Sequence, residues 1–474
     1  MHRTSKGFTL IDLVVVIAII TVLVAFSSPA FASARPRPHL SPPSVSQSLG
    51  LGKETTARSL PVTNEMEVLY RRDSEFWKNQ WQLCLLHLPS GKVEVLLDRK
   101  KNRKQLGAVL GHALFSPDGK LVLFAASDSK SPSGVTGEYT YGNDELLDLW
   151  LYNRRTKGMR RLTTDRQGYH LRQWSPDGQY VSAHGSRRWT SLGSPRMGAE
   201  RPYYDLYVWN ARTGRRRLVL EDVMREQWSP DSRRLLALRN DWLLYEWDAR
   251  TGKKRLVTTD VRDVVWMRNS KGFLYVKTPP DGWWYVPAAG GPATVFLKSP
   301  KELADSADPV LSPDGKRLVY RNSDDDTRVL TLATGESRPE ESRFPLANTP
   351  GPMPDTRWSP DSTKIAQVAD SMYHANEAPG IPLIILDAQT GKSIIQKTFE
   401  DKAELMGWSR DSKTIFVGSS TYLEKTNADG FPFRFTHVHV IAVSTDTSSR
   451  DLGILPTKGA LRDAMYLDWR LVCP

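Results

Sequence analysis

The chain reads as an all-β protein, a closed β-propeller of eight four-stranded blades, preceded by one apolar N-terminal helix. Three observations carry this reading. A short phrase, aromatic-Ser-Pro-Asp-Gly, recurs along the chain. A second phrase, ending in Thr-Gly, recurs downstream of most of its copies. The two ends of the repeat region are incomplete in complementary ways. Seven blades is the alternative, if one degenerate unit is an insertion.

The first phrase occurs at Phe115–Gly119, Trp174–Gly178, Trp228–Ser232, Leu311–Gly315, Trp358–Ser362 and Trp408–Ser412, with Trp266–Ser270 as a degenerate copy. It predicts a tight turn. Pro presets φ at the second position, Asp caps with its side chain, and Gly accepts a positive φ. Runs of strand composition flank it, such as Lys120–Phe124 and Lys316–Tyr320. The second phrase occurs at Asn210–Gly214, Asp248–Gly252, Leu332–Gly335 and Asp387–Gly391, with Leu88–Gly91 as a shorter form. It joins two further runs, such as Leu206–Trp209 and Arg216–Leu220, and reads as a hairpin. Each unit is therefore four strands, A to D. Successive copies of the first phrase lie 38 to 59 residues apart, which is blade spacing.

The ends set the closure. The first unit, Glu65 to Asp98, has strands B, C and D but no A. The last run, Ala464 to Pro474, has the composition of a strand A and then stops. The expectation is that it completes the first blade and closes the ring.

The Trp-Ser-Pro-Asp-Gly turn with its following strand resembles the TolB-type WD-like repeat. The same repeat is found in the propellers of the prolyl oligopeptidase and dipeptidyl peptidase families. The resemblance covers residues 64–474 and implies the fold rather than an activity. The peptidase relatives carry an α/β-hydrolase domain after the propeller. Here the chain is expected to end at the closing strand, with no room for one. No G-x-S-x-G elbow, P-loop, H-E-x-x-H or dinucleotide fingerprint occurs. No enzyme activity, cofactor or metal is expected on these grounds. A saccharide lyase or hydrolase, with polar side chains converging around the channel, is the enzymatic rival.

Residues 1–34 read as an export segment. Arg3 and Lys6 precede an apolar run from Leu13 to Phe26, and Ala30–Ala34 offers small-x-small cleavage sites at Ala32 and Ala34. Lys6 to Asp12 also resembles the type IV prepilin leader. That resemblance implies cleavage after Gly7 and methylation of Phe8. The family's usual Glu is here Asp12, one methylene shorter. Residues 8–26 would then anchor the chain in the cytoplasmic membrane, and a pilus-associated subunit becomes an alternative role. Residues 35–63 form a linker rich in Pro and Ser. Either route places the propeller, residues 64–474, in the periplasm or at the cell surface of a bacterium.

Formal net charge is +12, and its distribution is uneven. Residues 91–260 hold 31 Lys and Arg against 20 Asp and Glu, so the other residues nearly balance. Part of the excess opens the outer strands, at Arg160–Arg161, Arg215–Arg217 and Lys253–Arg255, where charge deters edge pairing. Two clusters remain. Arg99, Lys100, Lys101, Arg103 and Lys104 connect the first two units, and Arg187, Arg188 and Trp189 lie in a long B–C loop. D–A connections and B–C loops emerge on one face of a propeller. The longest loops, 127–146, 186–204, 370–380 and 419–434, are all of the B–C kind and add Tyr139, Tyr141, Tyr373, His374 and Tyr422 as contact candidates. This surface suits a protein partner or an anionic polymer, nucleic acid not being the favoured one, on a monomeric propeller.

His437 and His439 fall two apart in a strand, and Asp324–Asp326 in a loop; both read as packing or solvated turn rather than metal sites. The repeat-turn aspartates, from Asp118 to Asp411, read as turn caps and not as a catalytic ring. Cys84 and Cys473 are the two cysteines. They fall in one blade, so export leaves two alternatives, a bond between them or two free thiols; mid-strand positions two strands apart lie too far for a bond.

Overall fold

The structure is a computed structural model. It describes residues 66–75, 80–88, 90–129, 147–165, 168–186, 204–277, 282–288, 290–297, 309–321, 327–339, 355–368, 381–399, 402–426, 432–445, 449–454 and 465–471. Among these the chain forms eight antiparallel sheets of four strands each. The one helix described is a single turn, Arg99–Asn102. The leader residues Gly7, Phe8, Asp12, Ala32 and Ala34 lie outside the described residues.

Seven sheets run in chain order from an inner to an outer strand. The inner strands of blades 2 to 8 are Leu106–Phe115, Tyr169–Trp174, Val223–Trp228, Val261–Trp266, Val310–Leu311, Asp355–Trp358 and Lys402–Trp408. Blade 1 is composite. Its outer three strands are Met66–Glu75, Gln80–Leu88 and Lys92–Asp98, and its fourth is Met465–Leu471. Met66 pairs with Leu471 and Val68 with Trp469. The expected closure by the C-terminal strand is therefore what the fold does, with eight blades rather than seven.

The Ser-Pro-Asp turn is built from its own side chains. In blade 2, Ser116 Oγ donates to Asp118 Oδ1 at 2.7 Å, and Asp118 Oδ1 also accepts from Lys120 N at 3.0 Å. Leu121 N donates back to Ser116 Oγ at 2.9 Å. The same set recurs around Asp177, Asp231, Asp314, Asp361 and Asp411. In the degenerate copy, Asn269 Oδ1 takes the Asp role, accepting from Lys271 N. The aspartates are turn caps.

The core lies between blades. Apolar clusters straddle each pair of neighbours: Leu83, Leu97 and Trp81 of blade 1 with Phe115 and Phe124 of blade 2, for example. The ring closes the same way, with Met66, Val68 and Tyr70 of blade 1 against Met406 and Phe416 of blade 8. Directional bonds fix the angle. Trp266, Trp358 and Trp408 donate their indole N–H to carbonyls of the preceding inner strand, at Gln227, Val310 and Arg357.

One expectation changes. Within the expected B–C loop 419–434, residues 419–426 and 432–434 are strand. Strands Thr414–Thr426 and Pro432–Ser444 pair along their whole length, so Tyr422 sits in a strand opposite Thr436. Both runs are rich in β-branched and aromatic residues, and each favours a pleated ladder over a loop. Cys84 is a buried free thiol opposite Tyr70; burial pushes it up to about 11. Cys473, the other member of the expected pair, lies outside the described residues.

A candidate anion-binding surface

Two faces follow from the connectivity. The turn face carries the A–B and C–D turns. The loop face carries the B–C loops and the connections between blades. The basic segment from blade 1 to blade 2 belongs to the loop face, and the structure shows how it is held.

Asp98 ends the outer strand and caps the one-turn helix, its Oδ1 accepting from Lys100 N at 2.9 Å. Arg99 is half-buried and donates from Nε to the Gly107 carbonyl at 2.7 Å. The Trp81 indole donates to the same carbonyl at 3.2 Å. Gly107 is required there, because a Cβ would meet the Asp128 carbonyl oxygen at 2.3 Å. Ser129, at the start of the blade 2 B–C loop, donates from Oγ to the Lys104 carbonyl at 2.7 Å and from N to Gln105 at 3.0 Å. Connection and loop are thus tied on one face.

Arg99 is therefore a structural residue rather than a ligand contact. Lys100, Lys101, Arg103 and Lys104 are all exposed. Among the described residues no carboxylate pairs with their side chains. Four uncompensated cations within five residues, on a braced backbone, form the site. Tyr139, Tyr141, Arg187, Arg188, Trp189, Tyr373 and His374 lie outside the described residues, as does the side chain of Tyr422.

Part of the remaining basic excess is used internally. Arg160 donates to the carbonyls of Ala211 and Arg212 in the next blade. Arg217 repeats this toward Ala249 of blade 4 at 3.4 Å. Arg161 pairs with Asp128 at 2.8 Å and with Asp148, Arg216 with Asp165, and Arg255 with Glu246 at 2.6 Å. Edge protection is thus only part of their role; they also staple blades together.

Sequence reasoning did not find the ion pairs that cross between neighbouring blades. Glu226 of blade 4 is buried and meets His184 Nε2 at 2.8 Å and Arg172 Nε at 3.3 Å, both from blade 3. Arg225 of blade 4 meets Asp263 of blade 5 at 2.7 Å. Burial alone would raise the Glu226 carboxyl. The His184 hydrogen bond and the charges of His184 and Arg172 hold it below the usual carboxylate range. His184 is itself buried, so the pair braces blades and does not face solvent. The available signal was charge inside short inner strands otherwise apolar at their ends.

No protein-family model and no curated protein sequence matches the chain. Similar solved structures share low identity. One, from a study of two prolyl endopeptidases and their inter-domain dynamics, is 17% identical over 81% of this chain and 53% of that chain, with a TM-score of 0.45. A eukaryotic initiation factor structure is 14% identical over 85% of this chain and 98% of that chain, at a TM-score of 0.45. Hydrazine synthase of Kuenenia stuttgartiensis is 16% identical over 48% of this chain and 65% of that chain, at 0.34. This chain spans about half the length of the prolyl endopeptidase structure.

Proposed function

We propose that the chain is an exported, non-enzymatic binding protein that uses the loop face of its propeller to hold an anionic polymer. The observation that carries this is the cluster Lys100, Lys101, Arg103 and Lys104, exposed and without carboxylate partners among the described residues. Elsewhere in the basic half, Arg160, Arg161, Arg216, Arg217 and Arg255 are engaged in bonds within or between blades. Charge left uncompensated on a braced backbone costs stability through repulsion, which makes it a recognition feature. Export rests on the basic, apolar and small-residue order of residues 1–34.

Labelled heparin serves as the probe. Binding to the full chain should weaken steeply between about 50 and about 200 mM salt, as counterion release requires. Replacing Lys100, Lys101, Arg103 and Lys104 by Ser should weaken it at least about tenfold and flatten the salt slope, with an unchanged melting temperature. Salt-independent binding, or binding insensitive to the four replacements, would overturn the reading.

A further inference from the structure

The turn face carries a second feature that the anionic-polymer reading does not use. A cleft of about 830 Å3 opens between blades 2 and 3. Its floor and walls include Leu121, Leu151 and Met159, with Arg160, Gln179 and Arg212 around them. That size falls within the range of ligand clefts.

The cleft has a cause in the sequence. In the repeats of blades 3 and 6 the seventh residue, two past the Gly that ends the turn, covers the repeat aromatic of the next blade. Tyr180 of blade 3 stacks on Trp228 at 5.8 Å between ring centroids. Arg317 of blade 6 lies over the Trp358 ring at 5.5 Å. In blade 2 this position is Leu121, which carries neither ring nor guanidinium. Leu121 joins Leu151, Trp174, Val181 and Ala211 in a small apolar cluster and leaves the space above it open.

The electrostatics select the occupant. Arg160 is held by two backbone carbonyls, which leave its charge uncompensated. Arg212 also lines the cleft, and Arg155 lies in the turn whose Asn153 and Thr156 line it; both arginines are exposed and without carboxylate partners among the described residues. Lys157 and Arg154 do not count, since Glu94 and Glu67 neutralise them. Among the described residues no acidic side chain lines the cleft. The nearest turn carboxylate, Asp177, is occupied by Ser175 Oγ and Gln179 N. An apolar floor edged by Arg160 and Arg212, with Arg155 in the adjoining turn, suits a segment that alternates acidic and apolar side chains. The chain's own residues 1–63 have the wrong sign, with 6 Lys and Arg against 2 Asp and Glu.

We propose that this cleft docks an acidic peptide segment of a partner protein, with one apolar side chain seated on Leu121, Leu151 and Met159. Met is suited to that floor because its unbranched thioether adapts to the side chain it meets. The propeller would then hold a polymer on one face and a protein on the other.

Selection of a random peptide library on the full chain tests this. Enriched peptides should be acidic with an apolar anchor. A labelled enriched peptide should bind the Arg155→Glu/Arg212→Glu variant and the Met159→Glu variant at least about tenfold more weakly, while circular dichroism shows both variants folded. The Lys100, Lys101, Arg103 and Lys104 to Ser variant should bind the peptide normally, so failure here is distinct from failure of the loop-face reading. No enrichment, enrichment of non-acidic sequences, or affinities unchanged in both cleft variants would overturn the proposal.

Discussion

The carboxylate of Asp361 accepts three hydrogen bonds through one oxygen, from Ser359 Oγ at 2.6 Å, Thr363 N at 3.0 Å and Thr363 Oγ1 at 2.8 Å. Burial, the largest single influence, pushes the group upward, but these donors and Lys364 together hold it below the usual carboxylate range. Asp118 and Asp314 are held down in the same way. The sign follows from linkage. A carboxyl with a lower value in the folded state stabilises the fold above its unfolded value of about 3.9, and this is lost as pH falls through the folded value. We expect Asp361→Ala to be less stable than the parent by about 1 kcal/mol at pH 7. The gap between the two melting curves should narrow between about pH 4 and pH 2. A gap that stays constant down to pH 2 would show that the charge of Asp361 contributes nothing. The sequence showed these residues as caps because Ser, Pro and Asp each have a local role that needs no partner elsewhere. It did not show Glu226 with His184, because those two side chains come from different blades and meet only once the ring has closed.

At the scale of the turn, the last residue of the phrase has two versions with different physics. Gly119, Gly178 and Gly315 take φ near +70° freely. Ser232, Ser270, Ser362 and Ser412 take φ between 56° and 63° at a cost. Each of these serines accepts, through Oγ, the N–H of the preceding blade's turn Asp: Asp177 N to Ser232 at 2.9 Å, and Asp231, Asp314 and Asp361 N to Ser270, Ser362 and Ser412 at 3.0 Å. The backbone strain is offset by a stitch between blades. Ser232→Ala keeps the strain and loses the stitch, so it should lower stability by about 1 kcal/mol. Ser232→Gly loses the stitch and relieves the strain, so it should be nearly neutral. Thermal melts that rank Gly below Ala would refute this account. In the sequence, Ser at this position looks like a weaker copy of Gly, and the inter-blade bond is invisible. The basic excess misleads for the same reason. Arg160 and Lys101 look alike in a charge count, but only Arg160 has carbonyls of the next blade within reach. The cleft was legible in principle, as Leu121 standing where Tyr180 and Arg317 stand in other repeats.

The whole molecule depends on a strand contributed from the far end of the chain. Strand Met66–Glu75 has Gln80–Leu88 on one side and Met465–Leu471 on the other. Its Met66, Val68, Leu69 and Tyr70 are each at most 1% exposed. Removing residues 465–474 opens the inner edge of this strand to water and to other chains. It also loosens the seam where Met66, Val68 and Tyr70 pack on Met406 and Phe416 of blade 8. Re-exposing the equivalent of two or three such side chains costs about 5 kcal/mol. At about 2 °C per kcal/mol for a domain of this size, the melting temperature should fall by roughly 10 °C, or the protein should aggregate. The effect must also be non-local. In an open ring each blade keeps its neighbours, but the angle between them is no longer fixed by closure. The indole bonds of Trp266, Trp358 and Trp408 and the serine stitches should then lengthen together. Hydrogen exchange should therefore quicken at the turn amides of Asp177, Asp231, Asp314 and Asp361 as well as in blade 1. Faster exchange confined to blades 1 and 8 would mean that the blades are held pairwise and that closure adds nothing to the rest.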